Sequence, residues 1–379
     1  MVSKIGREIQ LSPVELASRI SRRGNVINLA SGSPDPSTIL HLELAKIYSQ
    51  VIQEMGPSCL GYPGAGGQEQ LIRELESLVK SFGIGLRGQR IVVTSGAQHA
   101  IELIAKYFLE EGVTAVENPT FVETFYSLKL RSSAVIPVEL EADGISVPEL
   151  ERLLKVVRVD LLYVIPTCHN PAGVTMSEEK RKALVELAEE FDFHIVEDDP
   201  YRPIAGQQPN PIKALDRSGR VIYIGSFSKV LAPGLRVGYI VADEETAEKI
   251  SLLEQLDFST STLNQYVVAR ALSSGLVANR MNQLHDHYRR KVNALITSLN
   301  ENRLVDFREP SCGYFVLLDL GRDSMQVLEK AIEGGVVFVP ASPFFIRGGE
   351  TKARLSASVP SEAEIEEGVK RLAYAVRNS

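Results

Sequence analysis

From about residue 90 the chain alternates two hydrophobic patterns: short continuous apolar runs rich in β-branched residues, and longer segments whose apolar positions recur every three or four residues. A continuous run is how a strand reads when both faces of its sheet are covered, and the longer spacing is that of a helix burying one face. The runs predict seven strands: IVVTS (91–95), TAVEN (114–118), AVIPVEL (134–140), DLLYVIP (160–166), HIVEDD (194–199), VIYIGSF (221–227) and RVGYIVA (236–242). Between them, QHAIELIAKYFLEEG and SEEKRKALVELAEEF carry helical spacing. The second opens on Ser177 in an N-cap position, with Lys180 where a full capping box has Glu. Strands alternating with helices predict an α/β fold, a large domain around a mostly parallel seven-stranded sheet.

After Tyr266 the pattern changes to a long helical stretch reaching about residue 300, followed by SCGYFVLLDL, GGVVFVPAS and KARLSAS. These runs are too short and too far apart to extend the first sheet, and they predict a smaller α+β domain joined by the N-terminal segment. The expected division is 35–275 for the large domain, with 1–34 and 276–379 forming the small one.

Composition fits that reading. A chain of 379 residues exceeds what one hydrophobic core usually serves, and 44% hydrophobic with 23% charged residues gives a sizeable core without staples. The net charge of -7, with no cluster of Lys and Arg, argues against a nucleic-acid partner. The opening MVSKIGREIQLSPVELASRI lacks an apolar run of signal-peptide length and reads as a helix with a polar face; no segment predicts a membrane span, and the expected compartment is the cytoplasm. Cys59, Cys168 and Cys312 are odd in number and lack CxxC spacing, which fits a reducing compartment better than a disulfide framework. His285 and His287 alternate on a helix, where such neighbours diverge, so no metal site is expected.

GIGLRG (83–88) satisfies the G-x-G-x-x-G pattern, but it follows a helical segment and precedes a strand, the reverse of a dinucleotide-binding turn. The ends of the predicted strands are better placed, because an open α/β sheet binds its ligand beyond the carboxyl ends of its strands. Four polar clusters fall there. Ser95-Gly96-Ala97-Gln98 opens a helix and suits either a phosphate or a plain N-cap. His169-Asn170-Pro171-Ala172-Gly173 and Glu197-Asp198-Asp199-Pro200-Tyr201 follow two central strands. In GSFSKVLAPGLRVGY (225–239), Ser226, Ser228 and Arg236 supply donors for a dianion beside Lys229. A lone loop lysine is ordinarily a solvated amine, and the company of two serines and an arginine alters that reading.

Together these clusters offer what pyridoxal phosphate needs: an amine for a Schiff base, an anion cradle, and a carboxylate for the ring nitrogen. SFSKVLAPGLRVGY resembles the cofactor-lysine motif of the fold-type I aminotransferases of class I/II, in wording nearest to the 2-aminoadipate, kynurenine and aromatic aminotransferase branch. The resemblance runs from about Gly32 to Ser358. It implies that Lys229 carries the cofactor, that Asp198 faces the pyridine nitrogen, and that Tyr201 and Asn170 contact the ring oxygen. It further implies that Gly96, Ala97, Gln98, Ser226, Ser228 and Arg236 hold the phosphate and that Phe121, in ENPTF, stacks on the ring. Arg354 in ARLSAS takes the substrate carboxylate, with Asn170 and Gly32 beside it. The expected assembly is a homodimer in which Tyr62, in YPGAGGQEQL, reaches the neighbouring active site.

The implied reaction passes the amino group of an L-amino acid to a 2-oxo acid such as 2-oxoglutarate, with broad, aromatic or 2-aminoadipate-type donors. The branch's arginine for a distal acidic group has no clear counterpart: Glu15 stands where it is expected, with Arg19, Arg22 and Arg23 nearby. A β-lyase would share the same clusters. A non-catalytic aminotransferase-like regulator would need a winged helix ahead of INLASGSPDPS, where about 30 residues stand.

Overall fold

The computed structural model of the chain describes residues 6, 15, 17, 19, 20, 26–257 and 260–379. The helix expected at the very start therefore falls largely outside the described residues, as do Arg22 and Arg23. A first short strand, β1 (Ile27–Asn28), precedes the main sheet. That sheet holds β2 (Gln89–Thr94), β3 (Val113–Asn118), β4 (Ala134–Glu141), β5 (Gly144–Ile145), β6 (Leu161–Val164), β7 (His194–Asp198), β8 (Val221–Ser226) and β9 (Gly238–Asp243). Its order is β2-β9-β8-β7-β6-β3-β4-β5.

All seven expected strands are present, with no end shifted by more than two residues, and the sheet has eight strands rather than seven. The extra member, β5, is a two-residue antiparallel return on β4, too short to leave a periodic signal. Pairing from β4 across to β8 is parallel, whereas β9 runs antiparallel to both β8 and β2. Because β9 runs backwards, its amino end lies at the same sheet edge as the carboxyl ends of β2, β3, β4, β6, β7 and β8.

Side-chain alternation divides the core. Along β7, Val196 packs with Ile101 and Ile104 of the helix Ala97–Phe108 and Ile250 of the helix Glu244–Asp257, while Ile195 packs with Leu184 and Ala188 of the helix Glu178–Phe191. Each large aliphatic side chain so buried contributes about 1.5–3 kcal/mol. Ser177 accepts from the Lys180 backbone N–H, giving half of a capping box; the complete box is at Ser361 and Glu364. The helical stretch expected after Tyr266 is two helices, Thr262–Ser273 and Leu276–Glu301, parted at Gly275 with φ of 76°.

A separate three-stranded antiparallel sheet places β13 (Lys352–Ser356) between β10 (Phe315–Asp319) and β12 (Val339–Pro340). The strand β11 (Val336–Val337) pairs with β1, which ties the N-terminal segment to this region. Among the described residues no helix is long and apolar enough to cross a membrane.

The cysteine reading needs correction. Cys168 and Cys312 form a disulfide with Cα atoms 5.0 Å apart, joining the loop after β6 to the segment before β10. They stand 144 residues apart in sequence, so only the tertiary fold brings them together. Cys59 is free and buried.

His287 serves an ion pair. Its Nε2 lies 2.9 Å from Asp35, which also accepts from the buried Lys291 Nζ at 2.6 Å and from the Ser37 backbone N–H at 2.9 Å. Burial pushes the Asp35 carboxyl up, but Lys291, Ser37 and His287 together hold it at about 2. A depressed carboxyl stabilises the fold above its unfolded pKa and loses that contribution as pH falls through the folded value. Asp35→Ala, which strands Lys291 without its counter-charge, is expected to cost about 3 kcal/mol by denaturant unfolding between pH 5 and 8. The deficit should shrink as pH falls from 4 toward 2; a deficit unchanged down to pH 2 would contradict the ion-pair account.

Candidate active site

The carboxyl ends of β2, β3, β6, β7 and β8 deliver five loops to one edge of the sheet, and two connected chambers open there. One, of about 190 Å³, is lined by Ala97, Gln98, Phe121, Asn170, Asp198, Tyr201, Ser226, Ser228, Lys229 and Arg236 among others. The other, of about 310 Å³, is lined by Glu15, Gly32, Phe121, Glu123, Asn170, Tyr201, Lys229 and Arg354 among others. Phe121, Asn170, Tyr201 and Lys229 belong to both walls.

At the end of β7 two adjacent carboxylates have different fates. Asp199 pairs with Arg202, whose guanidinium also donates to Thr167 Oγ1 and the Pro209 carbonyl, so its charge is spent on the loop. Asp198 faces the smaller chamber; its Oδ2 accepts from Tyr163 Oη at 2.7 Å, while its buried Oδ1 has no hydrogen-bond partner. Tyr163 lies on the adjacent β6, on the same face as Val196 and therefore as Asp198. Burial lifts the Asp198 carboxyl to about 7, against the pull of the Tyr163 hydroxyl; Asp199 adds to the rise and Lys229 opposes it.

Lys229 follows β8. Its Nζ donates to the Gly32 carbonyl at 2.8 Å and sits 5.6 Å from the centre of the Tyr201 ring. Burial lowers its ammonium to about 8, reinforced by the cations Arg354 and Arg236 and opposed by Asp198 and Glu123. A large neutral fraction near pH 8 is what a nucleophile and proton carrier needs.

Gly96 and Arg236 build the other end of the smaller chamber. Gly96 has φ of 86°, and a Cβ there would stand 2.6 Å from Arg236 Nη2, so both backbone and space call for glycine. Arg236 Nη2 donates to the Ser95 carbonyl at 3.0 Å, just before β9 begins. The helix Ala97–Phe108 starts here, and Ser226 Oγ donates to Ser228 Oγ at 3.1 Å nearby. A helix amino terminus, two hydroxyls and a guanidinium form a donor set for a phosphate dianion.

Arg354, on the central strand β13, is fully buried with its guanidinium carbon 4.6 Å from the Phe315 ring centre and 5.1 Å from that of Phe344. Its Nη1 donates to Asn170 Oδ1 at 3.1 Å and its Nη2 to the Ala30 carbonyl at 2.7 Å, while Nε has no hydrogen-bond partner. Asn170 Nδ2 in turn donates to Tyr201 Oη at 3.5 Å. Burial raises the Tyr201 phenol well above its ordinary range, so it remains a donor at every working pH.

The fold thus gathers every expected site residue except Tyr62, which is 87% exposed and belongs to neither chamber wall. Residues at or behind the walls that were not singled out from sequence include Tyr163; Tyr314, which donates to the Gly32 carbonyl at 2.9 Å; and Glu123 and Asn28, both on the wall of the larger chamber. The tyrosines read as strand filling, and Glu123 reads as an acid in the first turn of the helix Val122–Lys129.

These features fit pyridoxal phosphate. An orphaned carboxylate oxygen suits a protonated pyridine nitrogen, the donor set suits a phosphate, and the buried amine stands between them and Arg354.

Residues 24–372 match the family described as aminotransferase class I and II. The chain is 34% identical to the aromatic-amino-acid aminotransferase 1 of Thermococcus litoralis, covering 97% of this chain and 92% of that one. It is 32% identical to the 2-aminoadipate transaminase of Thermus thermophilus, covering 97% and 94%. It also superposes on the crystal structure of Pyrococcus horikoshii kynurenine aminotransferase, solved in complex with PMP, with a TM-score of 0.94 and 34% identity over 100% of this chain and 97% of that one.

Proposed function

We propose a division of labour within this chain, which belongs to the aminotransferases of class I and II and is a pyridoxal-phosphate-dependent transaminase. Lys229 Nζ holds the cofactor covalently and, when free, moves a proton to or from the substrate α-carbon. Asp198 holds a negative charge at the ring nitrogen. Gly96, Ala97, Gln98, Ser226, Ser228 and Arg236 take the phosphate, Phe121 covers the ring, and Asn170 and Tyr201 donate to its oxygen. Arg354, with Asn170 and Gly32, binds and orients the substrate carboxylate through its planar fork. When bound, the cofactor supplies an electron sink for the bond broken at the α-carbon.

The observation that carries this reading is the position of Lys229, shared by both chambers, with Asp198 on the wall of one and Arg354 on the wall of the other. The donors proposed are broad, aromatic or 2-aminoadipate-type, with 2-oxoglutarate as acceptor, in keeping with the relatives' names. We also propose a homodimer. Leu42, Ile52, Leu60 and Tyr62 expose apolar side chains along one stretch of chain, as a surface covered by a second copy would, and Tyr62 would then complete the partner's site. The proposed site of action is the cytoplasm; the Cys168–Cys312 bridge weighs against a strongly reducing one.

Loaded protein should absorb visible light, lose that band on addition of an L-amino acid alone, and regain it with a 2-oxo acid. Turnover that releases pyruvate from β-substituted substrates without needing an oxo acid would instead favour the β-lyase.

A further inference from the structure

Behind the smaller chamber stands a buried hydroxyl that lines neither wall. Tyr163 lies on β6, fully buried, paired with Val116 of β3 on one side and Val196 of β7 on the other. All three belong to one apolar cluster, which a phenylalanine ring would fill as well. A hydroxyl buried here destabilises the fold unless it is hydrogen-bonded, and its partner is the Asp198 carboxylate, with Oη 2.7 Å from Oδ2.

The direction of this hydrogen bond is fixed. Burial, with Asp198 adding to it, raises the Tyr163 phenol well above its ordinary range, so the hydroxyl donates and the carboxylate accepts. Holding Oδ2 in this way leaves Oδ1, buried and without a partner, as the oxygen open to a cofactor. A donor to a carboxylate also favours its charged form. Lys229, after β8, and Asp199, next in the chain, act on Asp198 as well, the first favouring its charge and the second opposing it. Tyr201 lies in the field of Asp198, and Glu117 of β3, which faces His169 Nε2 at 3.2 Å, acts on Tyr163. All of these groups stay in place when only the Tyr163 hydroxyl is removed.

We propose that Tyr163 is a positioning residue for the reaction: its hydroxyl turns Asp198 Oδ1 toward the ring nitrogen and keeps the carboxylate a weak enough base to leave the proton on that nitrogen. This rests on the assignment of Asp198 within the transaminase reading and adds a residue to it. Without the hydroxyl, Asp198 becomes the stronger base and draws the proton to itself, and a neutral ring accepts electrons less readily. A tyrosine that only fills the strand has no such effect once its ring is kept.

The test is Tyr163→Phe in two forms of the protein. In the cofactor-free form, a carboxyl whose folded pKa lies above its unfolded one contributes stability that is full below the unfolded value and is lost as pH rises through the folded value. Removing the donor carries the folded value higher by about one in pH, so the loss continues further. Variant and wild type should therefore differ by a constant amount from pH 4 to 6, and between pH 7 and 9 the variant should fall behind by about a further tenfold in the unfolding equilibrium constant.

In the loaded form, single-turnover reaction with an L-amino acid should have a maximal rate about tenfold lower and a half-saturating concentration within about twofold of the wild type, because Arg354 and its contacts are untouched. The pH at which the visible band changes should rise, since a neutral ring leaves the bonded Lys229 nitrogen more basic. In an Asp198→Asn background the same substitution should alter the rate by less than about twofold. A stability difference that stays constant from pH 4 to 9 overturns the proposal and leaves the transaminase reading standing, as does a rate loss of equal size with and without the Asp198 carboxylate. Wild-type protein that takes up pyridoxal phosphate and forms no visible band would strike the reading of the site and bring this inference down with it.

Discussion

Lys229→Ala is expected to lower kcat/KM for transamination by at least about 10⁴-fold, the upper range for a positioned proton-transfer group, since the same amine also anchors the cofactor. The substitution empties a position shared by both chamber walls and removes the amine whose pKa burial lowers. The phosphate donors Ser226, Ser228 and Arg236 stay in place, so the variant should still take up pyridoxal phosphate, more weakly and without the visible band of the lysine-bound form. Lys229→Arg should do no better, because a guanidinium stays charged and cannot accept the proton. Added methylamine or ethylamine should restore part of the proton transfer in Lys229→Ala, a rescue with no route if Lys229 merely braces the Gly32 carbonyl. Turnover near the wild-type rate in Lys229→Ala would falsify the assignment.

The convergence behind that expectation was legible in the sequence for a physical reason. Parallel strands deliver their carboxyl ends to one edge, so clusters after predicted strands, such as Asn170, Asp198 and Lys229, become neighbours once the sheet is granted. Arg236 is a subtler instance. It precedes a strand, and it reaches the same edge because β9 runs antiparallel to β8. What could not be read depended on which strand lies beside which. Tyr163 meets Asp198 only because β6 and β7 are adjacent and in register, a fact no local pattern states.

Long-range pairings were silent for the same reason. Arg354 and Asn170, 184 residues apart, were assigned through a family resemblance rather than through spacing, and nothing local marked the bridge between Cys168 and Cys312. Glu123 was hidden differently. An acid in a first helical turn has a sufficient local explanation, and only the chamber wall gives it a second one. Tyr62 remains at the surface of a single chain, where its expected role depends on a partner.

Asp198→Asn separates function from stability with opposite signs. On the proposed assignment the carboxylate pairs with a ring cation in the loaded enzyme, and removing one member of such a buried pair costs about 4 kcal/mol, close to 10³-fold in rate. An amide keeps an oxygen for the Tyr163 hydroxyl but puts a neutral nitrogen where Oδ1 now lacks a partner. In the cofactor-free protein the same change should help. Burial raises Asp198 to about 7 in the folded chain from an ordinary carboxyl value, so the folded state binds the proton more tightly than the unfolded one. Stability from this group is then fully present below the unfolded pKa and is lost as pH rises through about 7. Cofactor-free Asp198→Asn should consequently match the wild type near pH 4 and exceed it by up to roughly 4 kcal/mol, several degrees in Tm, at pH 8. Adding pyridoxal phosphate should reverse the ranking, because only the wild type gains a counter-charge for the buried, unpartnered Oδ1. A variant less stable than the wild type in both forms would mean that Asp198 is held for the fold rather than for the cofactor.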